Sequence, residues 1–435
     1  MHHQISRCRV CGNRELIEIL DLGIQALTGV FPRTQSQHVT SGPLRLVKCI
    51  GDHQDACGLV QLQHTYDLGE LYGDNYGYRS GLNASMVEHL RSKVRNILSM
   101  AAPPDGSLII DIGSNDGTTL QAYPSEGYTL VGIDPTGSKF REFYPSHIHL
   151  IPDFFSQDTV RAHLGERRAA VITSFSMFYD LEDPLRFMRE VSSVLDDDGL
   201  WVLEQSYMPT MLRMNSYDTV CHEHLEYYAL KQIKWMADRC GLRLINVEFN
   251  GINGGSFSVV ISKEGARYPE SPLIAKILNE EAELGLDGLQ PYREFAERVS
   301  ESKAALRSLL NEAKERNKSV AALGASTKGN VLLQYCNVTE ADIQCVGEVN
   351  PDKFGCVTPG THLPILPQEE VLASKPDYLL VLPWHFRPFF MEHPKFAGFN
   401  LVFPLPELEI RRRFYVSGSG RTRDSAVQRY VHGTL

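Results

Sequence analysis

The sequence predicts an α/β protein in which two doubly wound, Rossmann-like domains follow a small zinc-binding domain. Three observations carry that expectation. Cysteines open the chain in a knuckle, Cys8-x2-Cys11-Gly12, and return at Cys49 and Cys57-Gly58. An apolar run from Ser107 to Ile112 leads into a glycine-rich turn with an acid before it, and a second apolar run ends at Asp134. After a stretch rich in Glu, Lys, Ala and Leu, the plan of strand, glycine-bearing turn and helix recurs from Asn317 onward. A chain of 435 residues also exceeds one comfortable hydrophobic core. The expected divisions are 1–75 for zinc binding, 76–265 for the first doubly wound domain, 266–316 for a helical bridge and 317–435 for the second.

Hydrophobic content of 43% and charged content of 22% are those of a globular enzyme. A formal charge of -10 and a pI near 5.9 argue against nucleic acid as a partner, because that affinity is drawn from clustered Lys and Arg on phosphates. The start lacks the apolar core of a signal peptide, and no run of apolar residues reaches the length of a membrane span. A cytoplasmic protein without a membrane partner is expected. Nine Cys without an export signal favour thiols and metal ligands over a disulfide framework.

In the first domain, two turns carrying Cys8, Cys11, Cys49 and Cys57 can supply four thiolates to a structural Zn2+, which substitutes for a core in so small a unit. The second pair is spaced C-x7-C, wider than usual, so its interval must loop out, and His53 within it is an alternative ligand. From Tyr66 to Ser85 the chain is too polar for a core strand and too rich in Gly for a stable helix. Tyr76 and Tyr78 fall here, in a loop over a site or in a plain surface connection.

Residues 86–102 read as an amphipathic helix leading to the first strand. Behind that strand, Asp111-Ile-Gly113-Ser114-Asn115-Asp116-Gly117 departs from the dinucleotide fingerprint G-x-G-x-x-G, and its polar residues need no pyrophosphate. The turn resembles the first motif of class I S-adenosylmethionine (SAM) methyltransferases. That resemblance implies that Asp111, Gly113, Ser114, Asn115 and Gly117 face the cofactor, that Asp134 holds the ribose, that Asp153 or Phe154 sits near adenine, and that Ser174 in the fourth strand is also cofactor-binding. The alternative is a doubly wound domain with a vacant or different nucleotide site.

A fourteen-residue stretch, Asn215 to Tyr228, packs Cys221-His222-Glu223-His224 among further acids and phenols, just past a strand whose carboxyl end should face a ligand. Imidazole beside a carboxylate is a ready general base near neutral pH. Metal ligation is the competing reading, but a metalloprotease motif needs His at i and i+4, and His222 and His224 stand at i and i+2. A solvated polar loop is the third.

In the last domain Gly324-Ala-Ser-Thr-Lys328-Gly-Asn330 opens a helix, so Lys328 and first-turn amides could hold a diphosphate. The spacing is not that of a P-loop, and a solvated lysine is the plain alternative.

Taken in order, the Cys knuckle with Cys-Gly-Leu-Val-Gln-Leu, Asp-Ile-Gly-Ser-Asn-Asp-Gly, the His-Glu-His block, Gly-Ala-Ser-Thr-Lys-Gly-Asn, Glu-Val-Asn-Pro-Asp-Lys-Phe-Gly and Pro-Trp-His-Phe-Arg closely resemble the nucleotide-sugar C-methyltransferases, from Cys8 to about Arg412. The resemblance implies SAM and zinc as cofactors and a nucleotide-linked 4-keto deoxysugar as substrate. It further implies His224 as base, Glu223 and His222 as its supports, and a phenol from Tyr76 or Tyr78 in the site. Lys328, Asn330, Trp384, His385 and Arg387 lie in the motifs expected to bind substrate. Two departures stand out: Cys221 where the family carries Tyr, and Tyr179 where it carries His. They point to a branch acting on a different keto sugar. The competing expectations are an O- or N-methyltransferase of another small molecule, and a catalytically silent protein that binds SAM or a sugar nucleotide.

Overall fold

In the computed structural model, residues 2–51, 56–71, 79–415 and 422–429 are described; His53, Tyr76 and Tyr78 fall outside them. The N-terminal unit pairs β1 (His2–Gln4) with β5 (His64–Tyr66) and builds an antiparallel sheet from β2 (Leu16–Ala26), β3 (Ser41–Cys49) and β4 (Val60–Leu62). Its fourth strand comes from far along the chain. β11 (Glu226–Tyr227) pairs with β4 through Glu226 opposite Gln61 and Tyr227 opposite Val60, in sheet order β11-β4-β3-β2.

The central sheet contains β6 (Ser107–Ile112), β7 (Tyr128–Ile133), β8 (Ile148–Ile151), β9 (Ala169–Phe175), β10 (Leu195–Ser206), β12 (Leu242–Asn250) and β13 (Ser256–Lys263), in the order β12-β13-β10-β9-β6-β7-β8. Five strands run parallel, and β13 is antiparallel to both neighbours. β6 has β7 on one side and β9 on the other. Strand order reverses there, so a crevice opens at the carboxyl ends of β6 and β9, the place where doubly wound sheets bind ligands. The strands at the middle of this sheet are buried on both faces, which is why they read as continuous apolar runs rather than alternating ones.

Helix Ala84–Ala101 covers one face of this sheet. Asn83 caps it, its side chain accepting from the Ser85 amide, and Ala102 ends it in a left-handed conformation at φ 41°. Its stripe of Val94, Ile97 and Ala101 packs with Ile109, Val171, Leu200 and Val202.

Helices Pro272–Glu283 and Gln290–Glu315 lead to the third unit. There β14 (Val320–Leu323), β15 (Val346–Glu348), β16 (Ile365–Pro367), β17 (Tyr378–Val381) and β18 (Asn400–Phe403) run parallel. β19 (Glu409–Tyr415) and β20 (Thr422–Arg429) add antiparallel strands at the edge, in the order β16-β15-β14-β17-β18-β19-β20. This sheet reverses order between β14 and β17, so a second crevice opens behind Gly324 and Pro383.

One contiguous cluster of buried side chains runs from Cys8 through Trp201 and Phe295 to Leu408, so all three units share a core. A buried carboxylate fastens the bridge to the central unit. Glu281 Oε1 accepts from Tyr207 OH at 2.7 Å and from the Leu230 amide at 2.7 Å, while Oε2 accepts from the Lys231 amide at 3.0 Å. The last two donors are orphan amides at the start of helix Leu230–Asp238, where a negative charge is also favoured. Glu281→Ala strands those groups in a site where Glu281 is 2% exposed, and is expected to lower stability by about 3 kcal/mol in urea denaturation.

Candidate active site

The four cysteines converge. Their Sγ atoms all lie within 4.8 Å of one another, with Cys8 and Cys57 at 3.5 Å and Cys11 and Cys49 at 3.5 Å. A tetrahedral Zn2+ with bonds near 2.3 Å sets its sulfurs about 3.8 Å apart, so the cluster fits that ion. Gly12 and Gly58, each after a cysteine and each at φ 72°, supply the left-handed turn of a knuckle. Lys48 Nζ donates to the Gly58 carbonyl at 2.9 Å and lies 4.9 Å from the Tyr292 ring centroid, and Gln232 Nε2 donates to the Cys57 carbonyl at 3.0 Å. The second knuckle is thereby tied to helices outside its own unit.

At the β6 crevice the turn is held in a left-handed geometry, with Gly113 at φ 71°, Asn115 at 51° and Gly117 at 74°. The Asn115 amide donates to Asp134 Oδ2 at 2.8 Å, and Asp134 Oδ1 accepts from the Thr136 amide at 2.7 Å and hydroxyl at 2.6 Å. Asp134 therefore joins the ends of β6 and β7 at the mouth of the crevice, and its lone pairs are largely committed. Asp111 accepts from Thr173 Oγ1 at 2.5 Å, and burial pushes its carboxyl up to about 7. Tyr144 OH donates to the Asn115 carbonyl at 2.8 Å, so the Ser114 hydroxyl, 2.9 Å away, is the donor to Tyr144.

Phe154 is 54% exposed at the end of β8, beside exposed Asp153, whose Oδ1 accepts from the Phe154 amide at 2.7 Å. Two of the expected cofactor residues bond within the chain. Ser174 is fully buried and accepts from Trp201 Nε1 at 2.9 Å, so its hydroxyl serves the sheet core. The Asn115 carboxamide oxygen accepts from the Ser80 amide at 3.0 Å and thus binds the chain itself.

The His block is held from several sides. Leu62 donates to the Leu225 carbonyl and Leu225 to the Tyr179 carbonyl, both at 2.8 Å. The Tyr179 ring lies 4.2 Å from that of His224, centroid to centroid. His224 Nδ1 is 2.9 Å from the Thr219 carbonyl oxygen, which can only accept. The neutral ring therefore carries its proton on Nδ1 and leaves Nε2 unprotonated, the tautomer of a base. Burial, with the Lys328 charge second, draws His224 down to about 4. Tyr179 and His224 line a small cavity with Ser206, Met208, Met211 and Thr219.

The expected partners of His224 lie elsewhere. His222 is fully buried with its ring against Tyr66 at 4.6 Å, facing the N-terminal unit, and burial draws it down to about 3. The chain turns here, the His224 amide donating to the Cys221 carbonyl at 3.2 Å, so the side chains of His222, Glu223 and His224 leave in different directions, and Thr219 does the orienting. Glu223 faces Gly29, where an added Cβ would come within 2.6 Å of its Oε1. Its carboxyl is raised by burial, which the neighbouring Cys221 thiol opposes. The Cys221 thiol, 1% exposed, is pushed well above its usual range by the same burial and stays protonated.

The second crevice opens toward this block. Lys328 Nζ donates to the Asn253 carbonyl at 2.7 Å, and Trp384 Nε1 donates to Asp218 Oδ2 at 2.8 Å. His385 packs against Trp384 with ring centroids 5.9 Å apart and is drawn down to about 3, by burial first and by the Lys328 charge second. Two substrate expectations are corrected. Asn330, 1% exposed, donates to the Thr28 carbonyl at 2.7 Å and so joins the first and third units. Arg387 pairs with Glu409 of β19, at the edge.

Three family models match in chain order: "Putative zinc binding domain" over 8–72, "Methyltransferase domain" over 86–247 and "C-methyltransferase C-terminal domain" over 251–406. C-methyltransferase NovU of Streptomyces niveus is 29% identical over 410 residues, covering 93% of this chain and 96% of that one. The chain is a homologue of that C-methyltransferase. Solved structures are more distant. The CcbJ methyltransferase from Streptomyces caelestis is 15% identical over 40% of this chain and 89% of that one, with a TM-score of 0.31. Magnesium protoporphyrin IX methyltransferase from Synechocystis PCC 6803 is 13% identical over 45% and 89%, with a TM-score of 0.32.

This C-methyltransferase homologue also assembles residues that pattern reading passed over. Asn253, Gly254 and Gly255 have φ of 55°, 90° and 130°, forming a tight turn between β12 and β13 that meets Lys328, Trp384 and His385. The Gly-Gly pair between two strands was its only signal. On the central sheet, His89 Nε2 lies 2.5 Å from Glu204 Oε1, and Lys93 bridges Glu204 at 3.1 Å and Glu248 at 2.9 Å. His89 and Lys93 are one helical turn apart, which a sequence shows only once the helix face toward the sheet is known.

Purified protein is expected to hold one zinc per chain by plasma mass spectrometry, and Cys57→Ala to lose it together with folded stability. Asp134→Ala releases the Asn115 turn and should weaken SAM binding by about tenfold or more in calorimetry.

Proposed function

We propose that the protein is a SAM-dependent C-methyltransferase acting on a nucleotide-linked 4-keto (deoxy)sugar, with His224 as the base. The observation that carries this reading is the Thr219 carbonyl on His224 Nδ1, which leaves Nε2 free beside the Tyr179 ring. Carbon is not nucleophilic beside a ketone until it loses a proton, so a base is needed that a heteroatom acceptor does not require. SAM, when bound, supplies an electrophilic methyl group on a sulfonium.

His224 Nε2 takes the proton from the carbon next to the C4 ketone, and the C–H electron pair passes into the enolate. Tyr179 stands beside that ring, where a phenol can donate to the developing oxyanion; such a donor is worth about 3 to 4 kcal/mol. The new carbon–carbon bond forms as the carbon–sulfur bond breaks, and the imidazolium returns its proton to solvent. Lys328 depresses His224 and favours the enolate through the same positive charge.

The nucleotide diphosphate is assigned to the second crevice by the helix start and the cation found there. Helix Thr327–Tyr335 begins there with Ser326 as its cap, Lys328 in its first turn, and Trp384 and His385 opposite. Family likeness over nearly the whole chain supports carbon as the methylated atom.

With S-adenosylhomocysteine in place of SAM, the wild-type protein is expected to exchange the proton next to the ketone for deuterium, and His224→Asn to stop it, as read by NMR. A methyl signal on oxygen rather than carbon in the product would overturn the reading. Because His224 is held near 4, its unprotonated form persists well below the ordinary histidine range, and kcat/KM should fall only as pH drops toward about 4.

A further inference from the structure

The first zinc knuckle encloses an arginine as buried as its cysteines. Arg9 lies between Cys8 and Cys11, and its side chain is 4% exposed. Nη1 donates to the Leu62 carbonyl at 2.6 Å, and Nη2 donates to the His64 carbonyl at 3.2 Å and to Thr65 Oγ1 at 2.9 Å. Nε lies 3.7 Å from Glu226 Oε1, and the Glu226 side chain is fully buried. Neither Glu226 oxygen has a hydrogen-bond partner among the described residues, so the guanidinium is the counter-charge at hand.

Both routes out of Arg9 end beside His224. Leu62, whose carbonyl Arg9 holds, donates its own amide to the carbonyl of Leu225, the residue after the base. Glu226 follows immediately. The strand pair that fastens this turn, β4 with β11, has only two residue partners, too short a ladder to keep its register by backbone bonds alone. Removing the guanidinium strands the Leu62 and His64 carbonyls and leaves the buried Glu226 carboxyl facing an empty place, and the turn shifts to satisfy them.

We propose that Arg9 is a positioning residue for the reaction: it carries the geometry of the zinc knuckle to β11 and so sets where the His224 ring stands. The inference rests on His224 being the base. The zinc unit is then part of the active site's scaffold, although its metal lies outside the chemistry.

The test uses the full-length zinc protein, thymidine diphosphate-4-keto-6-deoxyglucose and S-adenosylhomocysteine, and reads deuterium uptake, zinc content and SAM affinity on each variant. Arg9→Gln is expected to keep zinc and bind SAM within about twofold of wild type while uptake slows by about a hundredfold, the scale that a displacement near one ångström can cost, and Arg9→Lys to recover part of it. Wild-type uptake in Arg9→Gln overturns the proposal. If Arg9→Gln loses its zinc, Arg9→Lys decides, since it keeps a cation beside the knuckle: with zinc retained, slowed uptake supports the positioning role and wild-type uptake refutes it. Uptake that survives in His224→Asn is instead the failure of the base assignment.

Discussion

Every feature of the site depends on one crossing of the chain. Just past the His block, residues Leu225 to Tyr227 leave the central unit and pair with β4 of the zinc-binding sheet. That short pairing pins the block on one side. Tyr179 of the central unit holds it on another, Trp384 reaches it from the third unit through Asp218, and Gly29 closes over Glu223. A turn of this length has no hydrogen-bond ladder of its own, so its conformation is imposed by what surrounds it. Precision at His224 is therefore a property of the whole chain.

The same crossing explains the electrostatics. His224 and His385 are held neutral by burial and by Lys328, while Asp218 is raised by burial and drawn back by Lys328. Desolvation dominates in each case, because three units meet and exclude water. Burial draws the Lys328 ammonium down, and its positive charge suits the proposed reaction, whose intermediate is an anion, since that field favours the enolate and disfavours the imidazolium. Neutral imidazole is then the resting state without need of a carboxylate partner, and Thr219 suffices to set its tautomer.

Much was legible in the residues themselves. Continuous apolar runs marked β6, β7, β9 and β10 because strands buried on both faces have no polar side to show. Glycines after Cys11, Cys57 and Ile112 marked turns that need a left-handed backbone. The four thiols announced their metal because few other uses pair such residues with such turns. What failed to show was direction. His222 was grouped with His224 by proximity in sequence, yet it faces Tyr66; Ser174 was read as cofactor-binding, yet it serves Trp201; Arg387 and Asn330 were spent on Glu409 and Thr28.

The sequence alone determined the two doubly wound units, the thiolate cluster, the glycine turn at the cofactor crevice and the imidazole that could act as base. These depend on local patterns of period, spacing and backbone permission, which neighbours in sequence carry. Tertiary structure alone decided that β11 belongs to the zinc sheet, that Thr219 rather than Glu223 orients His224, that Arg9 meets Glu226 and that Lys328 meets the turn at Asn253. Contacts between residues hundreds of positions apart leave no periodic trace, because burial and charge pairing act through space and the order of residues along the chain does not encode them.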